Sequence, residues 1–218
     1  MKKPLGFVNV SGMRAAVAAV GCLLALAASA GVQPRNYYGN VAKRLGDMLP
    51  RYHVLQQALN DEISQRAWTN LVTFYDYDHS VFLQSDLRKL AAHEKTIDDE
   101  LRNADPSFGF EVYDLYVKRL HERVAFATNL LATACFSYET NETYRIRRKD
   151  APWPETVADA EEHWRKRIKN ELLVRKANHD LDKATNTVDF AQDIIKGYRQ
   201  YVTVLTEPDE EAVLQHYL

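Results

Sequence analysis

The chain has 218 residues, of which 28 are Lys or Arg and 30 are Asp or Glu, giving a formal net charge of -2. A charged fraction of 27% argues against a protein with several membrane spans, and the near balance of charge gives no electrostatic reason to expect nucleic acid as a partner. Two cysteines are too few for a disulfide framework or a Cys-based zinc site. Only 8 Gly and 7 Pro are available for turns, so the composition favours helices.

The first thirty residues have the pattern of a secretory signal peptide. Lys2, Lys3 and Arg14 precede an apolar run over residues 15–28, and the small residues of Ala28-Ser29-Ala30 form a cleavage site. The alternative is an uncleaved membrane anchor, but the run is shorter than the roughly 20 residues that a bilayer requires. We therefore expect residues 1–30 to be removed before Gly31 and the protein to be exported to the periplasm. The mature chain would keep 25 basic and 30 acidic residues, a net charge of -5.

Two helices are predicted in the first half of the mature chain, each from apolar residues at helical spacing. The segment between them, residues 74–80, supplies the turn, and Asp78 or Ser80 is the expected N-cap of the second helix. Asp76 and Asp78 also resemble a carboxylate pair that could hold a divalent cation, although capping is the preferred interpretation. The apolar positions are Leu55, Leu59, Ile63, Ala67 and Leu71 for the first helix, and Leu83, Leu87, Leu90, Ile97 and Leu101 for the second.

A long amphipathic helix is predicted in the middle of the chain. Cys135 follows it within the apolar run Leu130 to Phe136, so we expect a buried side chain rather than a nucleophile. The apolar face of the helix comprises Tyr113, Tyr116 or Val117, Leu120, Val124, Ala127, Leu131 and Ala134.

The last block predicts a helical hairpin. Its first helix carries Val157, Ala160, Trp164, Ile168 and Leu172, and Asn178-His179-Asp180 form a polar break after it. Its second helix runs for seven turns on Leu181, Ala184, Val188, Ala191, Ile195, Tyr198, Val202 and Leu205, which step by three and four residues. The fold class expected is all-α, a multi-helix bundle with orthogonal and antiparallel packing.

No catalytic, cofactor-binding or metal-binding residue is predicted. The chain has neither a Gly-x-Ser-x-Gly elbow nor a Ser-x-x-Lys pair, and its seven His residues are scattered. The basic runs 145–149 and 165–167 could dock an anionic partner or a membrane surface, but a solvated face is the preferred interpretation. Most aromatic residues are expected in the core, and the others could line a groove for a peptide.

Three segments resemble the N-terminal helical region of bacterial tail-specific (carboxy-terminal processing) proteases. The first comprises Tyr52-His53 followed by residues 59–64 and 75–86, the second is Phe110 to Arg123, and the third is Asp150-Ala151-Pro152-Trp153 with the following Trp164 to Leu173. The resemblance implies a helical domain over residues 31–205, with 206–218 beginning a linker helix toward a PDZ domain. In that family a protease domain with a serine nucleophile and a lysine base follows, so no catalytic residue falls within this chain and it would be inactive alone.

The resemblance also implies a function. This region would shape the access of substrates or of an adaptor protein, and the parent protein would cleave exported proteins that are unfolded or expose their tails. The alternative is a stand-alone exported helical module that binds peptides or proteins without a protease. Trp153 and Trp164 could contact a neighbouring domain, but we expect them to fix the following helix to its own core.

Overall fold

The computed structural model describes residues 34–181 and 189–218, except for the side chains of residues 180 and 181. The predicted signal peptide, residues 1–30, lies outside them. They belong to one compact unit, Val32–Leu218, and contain no β-strand, which confirms the all-α prediction. None of their helices is long and apolar enough to span a membrane. The helices are α1 (Tyr38–Tyr52), α2 (Asp61–Tyr75), α3 (Gln84–Leu90), α4 (Ile97–Arg102), α5 (Ser107–Thr133), α6 (Val157–Leu181), α7 (Phe190–Thr206) and α8 (Glu210–Tyr217).

The central element is α5, whose 27 residues extend about 40 Å at 1.5 Å per residue. It packs against α2, α6, α7 and α8. The apolar face predicted from the sequence is confirmed as far as Leu131, whereas Ala134, also predicted on it, follows the last residue of the helix and is half-buried. The buried residues along it are Tyr113, Tyr116, Leu120, Val124, Ala127 and Leu131.

No helix was predicted before Leu55, but α1 forms there and continues through Pro50 to Tyr52. Small residues let α1 lie close to the end of α4. A Cβ added at Gly39 would stand 2.2 Å from the carbonyl oxygen of Ala104, so only glycine fits there. The predicted start of the next helix was also too early. Leu55 is exposed, and α2 begins after Asn60, whose side chain accepts a hydrogen bond from the Ile63 N–H.

The second predicted helix is divided into α3, a single 3-10 turn at Ala91–His93, and α4. The prediction of Asp78 or Ser80 as its N-cap is wrong, because α3 starts later, after Leu83. There the Leu83 N–H donates to the carboxylate of Asp86 from within the first turn of the helix. The predicted apolar positions are nevertheless all buried, namely Leu83, Leu87, Leu90, Ile97 and Leu101.

Two helices form at the hairpin, and they pack against each other and against α5. The predicted polar break is wrong, because residues 178–180 continue α6 to Leu181. The second helix begins at Phe190, capped by the Asp189 side chain, so it is shorter than the seven turns expected. Ala184 and Val188 of the predicted apolar seam lie outside the described residues.

The last helix, α8, packs against the first half of α5. Asp209 caps it by accepting the Ala212 N–H. A Cβ added at Gly109 would stand 2.5 Å from Cγ of Tyr217, so α8 approaches α5 where α5 lacks a side chain. This contact forms a second, smaller core with Tyr38, Phe110, Tyr113, Val213 and Leu214.

Candidate functional site

The carboxylate of Asp76 organises the turn between α2 and α3. It is 2% exposed and accepts the backbone N–H groups of Ser80, Val81 and Phe82 at 2.8, 3.0 and 3.0 Å. A fourth donor is the indole N–H of Trp153, at 3.0 Å. Asp78 is exposed, so the two carboxylates do not share a site. Asp76 is therefore a buried acceptor that orders the turn, and it is neither the N-cap of α3 nor half of a cation-binding pair.

His79 locks this turn to the loop that precedes α6. Its φ of 50° is left-handed, a conformation uncommon for a residue other than glycine. Its ring stacks on Trp153 with the centroids 3.4 Å apart, and its Nδ1 donates to the carbonyl oxygen of Ala151 at 2.5 Å. Arg148 reaches back to the carbonyl oxygens of His79 and Pro152. The two segments are thus joined by stacking and by hydrogen bonds in both directions.

A second tryptophan holds the same turn from α6. Trp164 is 2% exposed and donates its indole N–H to the carbonyl oxygen of Ser80 at 2.8 Å. The expectation that Trp153 and Trp164 fix α6 to its own core is confirmed. We refer to Asp76, His79, Trp153 and Trp164 together as the turn junction.

Two arginines of α5 form hydrogen bonds with the segment that leads from the turn into α3. Arg119 donates two hydrogen bonds of 2.8 Å to the buried carboxylate of Asp86. Burial raises the pKa of Asp86, but the Arg119 guanidinium and the Leu83 N–H hold it below its ordinary value. Arg123 is 1% exposed. Within the described residues, its guanidinium makes one hydrogen bond, of 3.5 Å, to the carbonyl oxygen of Val81. Burial lowers the pKa of Arg123.

The basic run Arg165-Lys166-Arg167 is engaged within the protein. Arg165 pairs with Glu142 and Glu162, and Lys166 also pairs with Glu162. The Arg167 guanidinium lies 4.9 Å from the centroid of the Trp164 ring, a cation–π contact. These partners leave the run little free charge for an anionic ligand.

The other basic run, Arg145 to Lys149, is mostly exposed. Of its cations, Arg148 is directed inward to the turn junction, while Arg145 donates to the carbonyl oxygen of Arg147. Most of the run is therefore solvated, in agreement with the preferred interpretation.

An open groove runs between α5 and α7, with a volume of about 730 Å³. Its lining combines apolar side chains with a similar number of polar ones, a composition that can contact both the side chains and the backbone of a polypeptide segment. The lining residues are His121, Val124, Ala125, Thr128, Asn129, Ala132, Arg199, Val202 and Thr203. The sequence placed Val124 and Val202 on the core-facing stripes of their helices, but it could not show that a groove lies between the two helices.

The prediction of a buried Cys135 is wrong, because its side chain is exposed. Helix α5 ends at Thr133, and the apolar run continues in a non-helical segment where Phe136 packs on the core instead. Across residues 34–181 and 189–218, no group of three or more His, Cys, Asp or Glu residues is placed to hold a metal ion.

The fold and the turn junction define an all-helical domain in which Trp153 and Trp164 have structural roles. The chain matches the family described as "Tail specific protease N-terminal domain" over residues 45–218, and it belongs to that family. A relative, the "Tail-specific protease" of Haemophilus influenzae, is 29% identical over 177 residues, which cover 81% of this chain. Those residues cover 25% of the relative, so the chain spans about a quarter of the length of the curated relative that it matches.

Proposed function

We propose that this chain is the non-catalytic N-terminal domain of an exported tail-specific serine protease, and that it shapes the access of substrates or an adaptor. Membership of the family supports the first part, since the family is described as the N-terminal domain of tail-specific proteases and the matched relative is named a tail-specific protease. The groove between α5 and α7 supports the second part. Under this proposal the PDZ and protease domains belong to the remainder of the parent protein.

The groove suits an extended polypeptide better than a compact ligand, because it is open along two helices. Apolar side chains such as Ala132 and Val202 can contact the side chains of an unfolded segment. Polar groups such as Asn129 and Thr203 can pair with its backbone. The partners proposed are therefore exported proteins that are unfolded or expose their tails, with an adaptor protein as the other candidate occupant.

The proposal is tested by filling the groove in the parent protease. Ala125 is exposed on the groove wall, and Ala125→Trp places a large side chain there without disturbing the buried face of α5. Ala177→Trp on α6 is the matched control, because Ala177 is exposed and does not line the groove. We expect Ala125→Trp to slow the cleavage of an unfolded protein but not of a short peptide, which needs no guidance. Equal cleavage of the unfolded protein by both variants would contradict a role for the groove.

A second candidate function uses the same groove without a protease, as a stand-alone exported binding module. The intact mass and N-terminal sequence of the native protein, purified from the exported fraction of its own cell, distinguish the two. A mass far above 25.0 kDa with a start at Gly31 would support the protease. A mature product that ends at Leu218 would support the binding module.

A further inference from the structure

The groove between α5 and α7 has a lining that carries positive charge and no negative charge. Arg199 contributes a guanidinium and His121 an imidazole, whereas none of the lining residues is an aspartate or a glutamate. Both side chains are exposed, so their N–H groups are accessible to a segment that lies in the groove. The groove therefore offers donors to a carboxylate at a site that has no carboxylate of its own.

The charge of Arg199 is not neutralised by the rest of the domain. Within residues 34–181 and 189–218 its guanidinium makes no ion pair. Glu122, which follows His121, is occupied by Arg119 at 2.8 Å. Asp193 precedes Arg199 by six residues, which at about 100° per residue turns it roughly 120° away around α7. A carboxylate from outside the domain would thus be the partner that Arg199 lacks.

This charge lies at one end of the groove. Contacts between α5 and α7 show that the two helices run antiparallel, because rising residue numbers on α5 meet falling numbers on α7. Arg199 is accordingly placed beside His121, the first lining residue of α5. The contacts are that of Tyr113 with Leu205, at 3.4 Å from hydroxyl to carbonyl oxygen, and that of Tyr116 with Tyr201.

The other end of the groove is uncharged and is lined by small side chains. The α5 wall extends from His121 to Ala132, a rise of about 17 Å at 1.5 Å per residue. An extended polypeptide advances about 3.3 Å per residue, so the wall spans about five of its residues. Thr128, Asn129 and Ala132 form the end away from Arg199. A segment in the groove would place one residue against the cation and the others against small, uncharged side chains.

Building on the function proposed above, we propose that the groove selects unfolded segments in which an acidic side chain lies beside small, uncharged residues. A guanidinium can donate two parallel hydrogen bonds to one carboxylate, and His121 offers a further donor. A neutral segment would leave Arg199 without a partner, and a lysine would be repelled by it. The carboxylate is assigned to an internal aspartate or glutamate, since such residues recur along an unfolded chain whereas the terminal carboxylate occurs once.

The test is the binding of residues 31–218 to short labelled peptides, measured by fluorescence anisotropy. This segment contains both core clusters and the whole compact unit. The peptides consist of alanine, serine and valine, are amidated at the C-terminus, and differ at one central position, which is glutamate, glutamine or lysine. We expect the glutamate peptide to bind about fivefold more tightly than the glutamine peptide, as for an exposed ion pair. The lysine peptide should bind most weakly, and high salt should reduce these differences.

Two substitutions of Arg199 examine the source of the preference. Arg199→Gln should abolish the preference for the glutamate peptide without weakening the binding of the glutamine peptide. Arg199→Glu should reverse the order, so that the lysine peptide binds best. Arg66→Glu is the matched control, because Arg66 is exposed on α2, does not line the groove, and changes the net charge equally. Circular dichroism of each variant verifies that the helices are retained.

Ala125→Trp separates a failure of this proposal from a failure of the proposed function. It fills the groove and should weaken the binding of all three peptides. Equal binding of the glutamate and glutamine peptides, weakened by Ala125→Trp, would overturn the selection of acidic segments and leave the proposed function intact. No binding of any peptide, or binding that Ala125→Trp does not change, would contradict both.

Three other results would also overturn the proposal. The first is an equal loss of the glutamate preference in Arg199→Glu and Arg66→Glu, which would assign it to net charge. The second is tighter binding of the glutamine peptide with a free C-terminus than of the amidated glutamate peptide, which would assign Arg199 to chain ends. The third is a dimer, seen by analytical ultracentrifugation, that Ala125→Trp abolishes, which would assign the groove to a second copy of the chain.

Discussion

Replacement of Asp76 by alanine should be among the most destabilising single changes in this domain. The substitution leaves three backbone N–H groups and the Trp153 indole N–H without their acceptor, in a site that is 2% exposed. An unsatisfied buried donor costs about 1–3 kcal/mol, and water entering the vacated space recovers part of that cost. We therefore expect a loss of about 4 kcal/mol, a large share of the 5–15 kcal/mol typical of a folded domain.

The assay is urea unfolding of residues 31–218, with the loss of helix followed by circular dichroism at about 222 nm. Asp78→Ala is the matched control, since Asp78 is exposed two residues away and should change stability by no more than about 0.5 kcal/mol. Asp76→Asn keeps one acceptor oxygen and should fall between the two, at about 2 kcal/mol. A difference of less than about 1 kcal/mol between the two alanine variants would refute the reasoning.

A double-mutant cycle isolates one of the four hydrogen bonds of Asp76. Trp153→Phe keeps an aromatic ring to stack on His79 but removes the indole N–H, and it should cost about 1 kcal/mol alone. In the Asp76→Ala background the same change should cost almost nothing, because its acceptor is already absent. The coupling free energy should therefore be about 1 kcal/mol, and strictly additive effects would show that this hydrogen bond does not contribute.

Three other changes test different parts of the fold. Trp164→Ala should cost about 3–5 kcal/mol in urea unfolding, from the cavity it leaves and the orphaned carbonyl of Ser80. Gly109→Ala should displace Tyr217 and raise amide hydrogen exchange in α8, at a cost of about 1–3 kcal/mol, whereas exchange in α6 should not change. Burial lowers the pKa of His163 to about 4 from 6.5, so the unfolded state binds the extra proton first and stability falls as the pH drops from 6.5 to 4. Because His163 is only partly buried, we expect about 1–2 kcal/mol over this range, and His163→Phe should remove that dependence when unfolding is measured at each pH. Glu142, whose pKa is about 2, stays ionised throughout.

Helical periodicity predicted the elements that bury a continuous apolar stripe. The stripe of α5 is long, unbroken and buried as expected, because a helix surrounded by other helices must present apolar residues at every turn. Periodicity failed for α1, whose contact with α4 uses Gly39, Ala42 and Gly46. Small residues carry little hydrophobic signal, so periodicity does not detect a helix that packs through them.

The division of the second predicted helix depended on tertiary contacts that no local pattern shows. Its apolar positions are all buried, yet the chain turns at Ala91–His93 so that α4 can pack on α1 and α2. Ser64 of α2 accepts the Asp98 N–H and donates to the Asp98 carboxylate, which fixes the start of α4 from outside it. Partners so distant in the sequence cannot be read from spacing.

Only part of the turn junction could be predicted from the sequence, for the same reason. Asp76 was expected to cap a helix start, but it accepts N–H groups of the turn that precedes α3, and its fourth donor comes from Trp153, 77 positions later in the chain. The groove between α5 and α7 was not visible at all, because a groove depends on the distance between two helices. Patterns within one helix do not contain that distance.

Two of the segments that carry the family resemblance meet at one place in the structure. The segment around Asp76 and the segment that includes Trp153 and Trp164 are far apart in sequence, yet their side chains share hydrogen bonds across a single turn. Their spacing is therefore a requirement of the fold, and a substitution among them should alter the activity of a parent protease only by destabilising this domain. Ala125→Trp in the groove should do the reverse, changing the cleavage of unfolded substrates at unchanged stability. The two classes of variant thus separate what the domain needs in order to fold from what it does once folded.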